Sequence, residues 1–442
     1  MSIKNKMFDL RPKLAPAAVG LMLSAIATLA GASNTPAWVT TQTLAHPLAV
    51  TLGAKDAMKS GEAVQVVVSL KLRNSETLDN FLAFQKVPGS PAFGATMTPA
   101  QFAAKFSPTA EQAQAVADHL AASGFRNIEI APNRLLVTAD GTAGTVATAF
   151  RTTLGHVKVG SRDAIANMTA VQIPSKLSGV VQSVLGLQTA DVMHTMNKHA
   201  NTVVAAAPAF GAGTQARTLA THGFNPTAFP TIYHAGSTVT ASATTVAIVA
   251  EGNLAPTLTD LTAFENANGI TPVATQVIKT GASSTDTSGT DEWDLDSQDI
   301  VAMAGGKVKS LIFYDSPSLS NANLTTEFNR VVTDNLAKVI NVSLGECETS
   351  ANSDGSLAAD DNIFKQAVAQ GQTFVVSSGD SGSNECTTSK TGTTPSAPAS
   401  SPYVVAAGGT TLTATTANAY TTETVWSGTG GSASKIEVQP TW

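Results

Sequence analysis

Residues 307–347, KVKSLIFYDSPSLSNANLTTEFNRVVTDNLAKVINVSLGEC, read as a strand, a helix and a second strand. The outer runs are short, apolar and rich in β-branched residues, while LTTEFNRVVTDN between them spaces its apolar residues for a helix. The alternation extends in both directions. Upstream stand the strand TTVAIVAEG (244–252), the helix PTLTDLTAFENANG (256–269), the strand VATQVIKTG (273–281) and the helix DEWDLDSQDIVAMAGG (291–306). Downstream come the helix AADDNIFKQAVAQGQ (358–372) and the strand TFVVSSGDSG (373–382). Apolar strands alternating with helices predict an α/β fold with a parallel sheet covered by helices on both faces. In such sheets the working residues lie at the carboxyl ends of the strands.

The N-terminal half reads differently. AVQVVVSLKL (63–72) and RLLVTA (134–139) have strand character, and TPAQFAAKF (98–106) and SPTAEQAQAVADHLAASG (107–124) have helix character. Each helix opens on a hydroxyl residue followed by proline, Thr98-Pro99 and Ser107-Pro108. This predicts an α+β domain from about 60 to 190. It holds His119 and His156 but no ionisable cluster at catalytic or ligand spacing, so a folding or regulatory module is expected. Around 195–220 the periodicity disappears into Ala, Thr and Gly, as an exposed linker or processing site would have it.

Charge is sparse along the whole chain: 13% of 442 residues, with a net charge of −6 and no long basic run. That removes nucleic acid from consideration and gives little reason to expect an anionic membrane as partner. It also leaves few groups whose titration would unfold the chain in acid. At the N-terminus, Lys4, Lys6, Arg11 and Lys13 precede the uncharged stretch LAPAAVGLMLSAIATLAGA, which ends in Ala30-Gly31-Ala32. Basic head, apolar middle and small-residue exit are the order of a secretory signal over residues 1–32. A retained anchor is the other reading, which Pro16, Gly20 and the small-residue exit disfavour. The two cysteines, Cys347 and Cys386, could form one bridge in an oxidising compartment.

Two constellations carry chemistry. Glu292 and Asp296 are four residues apart on a helix, so they share a face and one proton between two close carboxyls becomes feasible. The plainer reading is that Asp291, Glu292 and Asp294 complement the positive end of a helix opened by Thr290, but Asp296 and Asp299 lie beyond that first turn. The second is Ser377-Ser378-Gly379-Asp380-Ser381-Gly382, where two glycines bracket an acid at a strand end. Its Gly-Asp-Ser-Gly resembles the nucleophile loop of trypsin-like proteases, yet all seven histidines lie at or before His234 and the surrounding pattern is not β-barrel. With no histidine from 235 to 442, carboxylates are the bases available there, and they work best in acid.

Asp291-Glu292-Trp293-Asp294-Leu295-Asp296-Ser297-Gln298, then VINVSLG (339–345), then SSGDSG (377–382), resemble the sedolisins, or serine-carboxyl peptidases, of the pseudomonalisin and xanthomonalisin branch. The match runs on through SSPYVVAAGGTTL (400–412), ETVW (423–426) and the final Pro440-Thr441-Trp442. The resemblance implies a subtilisin-like sheet, incomplete here, behind an α+β, ferredoxin-like propeptide. It implies a signal at 1–32, a pro-kumamolisin-like activation propeptide at 45–193, a linker at 194–222 and a peptidase domain at 223–442. Glu292 would be the base, Asp296 its hydrogen-bonded orienter and Asp380 a protonated oxyanion donor. Ser343-Leu344-Gly345 would bind extended peptide, and Cys347 would pair with Cys386.

One departure stands out. Members carry their nucleophile in a Gly-Thr-Ser segment followed by a calcium loop, both beyond the tryptophan matching Trp442, and no Gly-Thr-Ser occurs in this sequence. Gly409-Thr410-Thr411 is the nearest string but matches another turn. The expectation is a secreted, monomeric, acid-active endopeptidase zymogen that stops short of its serine and its calcium ligands, acts on protein or peptide substrates and is inhibited by its own propeptide. An inactive relative that binds peptides or inhibits a partner is the alternative, and an exported α/β binding protein the third. Exposed apolar surface, with aggregation or proteolysis, is expected of a sheet lacking its last elements.

Overall fold

The computed structural model describes residues 37–51, 53, 56–197, 223–235, 240–386 and 392–439. The signal expected at 1–32 and most of the linker expected at 194–222 lie outside the described residues. Everything below falls in one compact unit, Ala37–Trp442.

The first half builds on β1 (Trp38–Thr40), β2 (Ala63–Leu70), α1 (Ser75–Gln85), α2 (Pro99–Lys105), α3 (Ala110–Ala122), β3 (Arg126–Ile130) and β4 (Leu136–Thr142). It continues with α4 (Ala143–Phe150), β5 (Leu154–Val159), β6 (Arg162–Asn167), β7 (Gln172–Pro174), β8 (Val181–Leu185) and β9 (His194–Thr195). Strands β3-β4-β2-β8 form an antiparallel sheet in that order, which is the path of a ferredoxin-like β-α-β-β-α-β chain. Alternation in β2 puts Val64, Val66, Val68 and Leu70 into a core with Val116 and Leu120 of α3 and Val146 and Phe150 of α4. Thr98 caps α2 in a capping box, as its sequence predicts. For α3 the expectation is corrected: the cap is Thr109, whose hydroxyl accepts from Gln112 while Gln112 reaches back, because only that residue has a glutamine three places on.

The second half runs α5 (Phe229–Ile232), β10 (Thr245–Glu251), α6 (Ala255–Ala267), β11 (Thr275–Lys279), α7 (Thr290–Met303), β12 (Ser310–Ser316), α8 (Asn321–Asp334), β13 (Val339–Val342) and β14 (Leu344–Cys347). Then follow α9 (Glu348–Asp354), α10 (Ser356–Ala369), β15 (Thr373–Ser377), β16 (Ser396–Ala397), β17 (Val405–Ala407), β18 (Thr410–Ala414) and β19 (Tyr420–Val425). Six strands form a parallel sheet in the order β11-β12-β10-β13-β15-β17. Ile248, Phe313, Ile340 and Phe374 of its strands are buried with Phe328 of α8, whose ring meets that of Phe374 edge-on, and Phe364 of α10, whose ring is tilted against it. The order turns back between β10 and β13, the place where α/β sheets open a crevice. At the far side β17 is exposed at every residue, and Val425 and Val438 are also bare.

The run VINVSLGEC is not one strand. It breaks at Ser343, so β13 stays in the parallel sheet while β14 leaves it and pairs antiparallel with β16 and β9. The first domain docks on the second through Val67, Leu136 and Leu185 of its sheet against Ala322 of α8 and Ala359 of α10. Beside that contact, Asn133 inserts an amide between the same two helices, donating to Asn329 Oδ1 at 2.6 Å and Gln366 Oε1 at 2.9 Å.

Candidate active site

Helix α7 brings Glu292 and Asp296 to one face, as their spacing requires, and both side chains are buried. The helix does not open on a side-chain cap at Thr290: its N-cap is Gly289, and the Thr290 hydroxyl turns back to the Thr287 carbonyl. What anchors the first turn is Trp293, fully buried, whose Nε1 donates to the Glu251 carbonyl at 3.0 Å at the end of β10. This contact fixes Glu292 above the carboxyl ends of the strands.

The orienting partner of the acid pair is a residue assigned from sequence to peptide binding. Ser343 Oγ donates to Asp296 Oδ1 at 2.7 Å, and Asn341 Nδ2 donates to Ser343 Oγ at 3.2 Å. Ser343 reaches Asp296 because the strand breaks there, which turns its side chain toward α7. Burial, and then the nearby Asp296, push Glu292 up to about 8, with the Ser343 hydroxyl pulling the other way and Asp380 adding repulsion. Burial likewise pushes Asp296 up to about 7 against the hydrogen bonds from Ser343 and Asn341. The acids form a wider group: Glu251 is raised to about 7 by burial and by Asp286 and Asp315. Burial that lifts carboxyl proton affinity into the neutral range makes this face a candidate for proton transfer.

Asp380 approaches from β15. Gly379 has φ +110°, a left-handed conformation open to glycine, and lets the chain turn immediately after the strand. The turn is held from outside by residues the sequence did not single out: Gly430 N donates to the Gly379 carbonyl at 2.6 Å, Gly382 N to the Gly428 carbonyl at 3.1 Å, and Ser378 Oγ to the Gly430 carbonyl at 2.9 Å. Glu385, buried, lies under it. Cys347 and Cys386 are joined in a disulfide that ties β14 to this loop.

Ser343-Leu344-Gly345 is covered by a strand of the first domain. The tail of the first domain, β9, pairs antiparallel with β14, Thr195 opposite Leu344 and His194 opposite Gly345, and Met196 N donates to the Ser343 carbonyl at 3.0 Å. Gly345 is required here by space, since a Cβ would run into Ser396 Oγ and the methyl end of Met196. An extended peptide thus lies as an added strand beside the acid pair. The linker expected from 194 therefore begins as ordered strand; an isolated His-Thr pair carries no periodicity by which to see it.

Residues 53–190 match the pro-kumamolisin activation domain and residues 271–438 the subtilase family. The chain is 45% identical over 446 residues to sedolisin of Pseudomonas sp. (strain 101), covering 95% of this chain and 75% of that protein. The chain belongs to the sedolisin family. Xanthomonalisin of Xanthomonas sp. (strain T-22) is 41% identical over 437 residues, 88% of this chain and 52% of its own length. Among solved structures, Pseudomonas sedolisin, a serine-carboxyl proteinase complexed with two molecules of pseudo-iodotyrostatin, is 51% identical over 50% of this chain and 66% of that one, with a TM-score of 0.49. As a sedolisin-family chain it pairs an activation propeptide with a subtilisin-like peptidase domain. Among the described residues no group of three or more His, Cys, Asp or Glu could hold a metal ion. Nor, among them, is any helix long and apolar enough to cross a membrane.

Proposed function

We propose that this chain is the propeptide, 45–193, the linker, 194–222, and the cleft-bearing part, 223–442, of an exported, monomeric endopeptidase that works in acid. The observation that carries the reading is the strand His194–Thr195 laid on β14 beside Glu292 and Asp296, as a peptide substrate would lie. Glu292 is the base that takes the proton of a serine hydroxyl as its oxygen attacks the peptide carbonyl, and it returns that proton to the departing amine. Asp296 would orient Glu292 through a shared proton; in this closed form it is tied to Ser343 instead, and Glu292 Oε2 and Asp296 Oδ2 make no hydrogen bond. Asp380, protonated, donates to the oxyanion. A base has to be ionised, and with its affinity raised to about 8 Glu292 is neutral across the acid range in this closed form. The filled cleft is a resting state, with the propeptide as its own inhibitor.

The serine itself is assigned to a Gly-Thr-Ser segment that the 442 residues do not contain, and calcium to the loop that follows such a segment. Two arms test this. The gene beyond codon 442 should encode Gly-Thr-Ser in frame, and that longer product should hydrolyse casein at about pH 4, a carboxylate's own range. Glu292→Ala should lower the rate by about 10²–10⁴-fold. Unchanged hydrolysis by Glu292→Ala would sink the assignment of the base. The missing tripeptide also favours a second reading, a relative that binds peptides or inhibits a partner; absence of Gly-Thr-Ser in every downstream frame would select it.

A further inference from the structure

We infer that Glu385 is a positioning residue with two clients: it fixes the turn that carries Asp380, and it clamps the propeptide tail into the cleft through His194. The inference rests on reading the cleft as a peptide site and adds to it how that site is closed and opened. Glu385 follows the turn by a few residues and is anchored by its own backbone, its N–H donating to the Thr394 carbonyl at 2.9 Å. Its buried carboxyl points back under the turn. Oε2 lies against Gly379, where a Cβ would sit 2.6 Å away, so side-chain-free backbone at Gly379 is what admits the acid. The backbone N–H groups of Asp380 and Ser381 favour the charged form of this carboxyl, and a carboxylate set close to successive amides in turn favours their present orientation.

The other oxygen serves the tail. His194 Nε2 stands 3.4 Å from Glu385 Oε1, the histidine half exposed and the acid buried. His194 is the residue of β9 opposite Gly345, so the clamp closes on the strand that fills the cleft. The groups acting on Glu385 are His194 from the tail and the amides of Asp380 and Ser381 from the turn; the Asp380 carboxyl shares that turn, with Glu292 beyond it on α7. Their sum, led by the bond to His194, holds Glu385 below the ordinary carboxylate value. A group with a lowered folded-state affinity stabilises above its unfolded value and stops doing so as pH falls through the lowered one. Acid therefore takes charge from one carboxylate and loosens tail and turn together, whereas the amide contact of Asn133 with Asn329 and Gln366 has nothing to titrate.

Amide hydrogen exchange on the full chain, read as protection factors from about pH 3 to about pH 7, tests this without needing turnover. In the wild type the Met196 amide should be protected near neutrality and lose at least about tenfold of that protection below the ordinary glutamate value of about 4.3. His194→Gln should strip Met196 of protection at every pH and leave the Asp380 and Ser381 amides as they are. Glu385→Gln should abolish the pH dependence at Met196 and speed exchange at Asp380 and Ser381, and Glu385→Asp should restore part of both. A Met196 profile in Glu385→Gln that superimposes on the wild type would overturn the inference. So would full protection in His194→Gln, a variant whose exposed side chain puts no demand on folding. A Met196 amide unprotected at neutral pH in the wild type would overturn the peptide-cleft reading as well, which separates the two failures.

Discussion

At Ser343 one hydroxyl decides how two buried acids behave. Its bond to Asp296 and its pull on Glu292 both favour the ionised forms, against desolvation that favours the neutral ones. Ser343→Ala leaves Asp296 Oδ1 buried without that donor, so a loss of about 1–3 kcal/mol is expected near neutrality, to be measured as a shift in urea midpoint with unchanged slope. The loss should shrink as pH falls through about 7, the value to which Asp296 is raised, because the folded chain then carries the Asp296 proton and the bond no longer serves a charge. The acid pair itself was legible in the sequence, since spacing of four on a helix puts two side chains on one face. The serine's part was not: it depends on a strand changing sheets, and VINVSLG looks like a single uninterrupted apolar run.

Among elements, the contact between propeptide and peptidase includes the apolar face of β2, β4 and β8, the amide plug at Asn133, the ion pair Lys365–Asp79 at 2.9 Å and the bond from Gln188 Nε2 to Asp354 Oδ2 at 2.7 Å. Asn133 is buried, and its Nδ2 serves two acceptors at once. Asn133→Ala leaves Asn329 Oδ1 and Gln366 Oε1 without that donor, and should cost about 1–3 kcal/mol per abandoned group at most. Chemical denaturation at about pH 4 and about pH 7 should give the same loss, since no ionisation is involved; a strongly pH-dependent loss would contradict the assignment. The βα alternation of the second half and the main strands and helices of the first were readable from periodicity, and the cap of α2 from its residues. The true cap of α3, the short strands β9 and β16 and the strap at 428–431 were not, because two-residue pairings and backbone-to-backbone bonds leave no trace in side-chain pattern.

Among the described residues the buried acids whose proton affinity is shifted, Glu385 apart, pull in one direction. Asp294 and Asp299 are raised to about 6, Glu251 and Asp296 to about 7 and Glu292 to about 8, each chiefly by burial. A carboxyl raised on folding contributes fully below its unfolded value and loses that contribution as pH climbs through the raised one. The thermal midpoint should therefore fall between about pH 5 and about pH 8, the reverse of ordinary acid denaturation, as scanning calorimetry would show. Glu292→Gln should flatten the upper part of that fall. A midpoint that rises across this interval would mean these groups are not desolvated as described. Sparse charge leaves few groups whose titration would unfold the chain in acid; the burial of these particular carboxyls adds the expectation that the peptidase body is most stable there, while the proposed tail clamp would be loosened.

The break at Ser343 has a geometrical sequel. The core strands all run the same way, but β14, once out of that sheet, accepts a partner running opposite to it. The tail of the first domain is thus held in one direction, because a strand running the other way along β14 would have to meet it in the slanted, evenly spaced bonds of a parallel ladder rather than in the pairs that set Thr195 opposite Leu344 and His194 opposite Gly345.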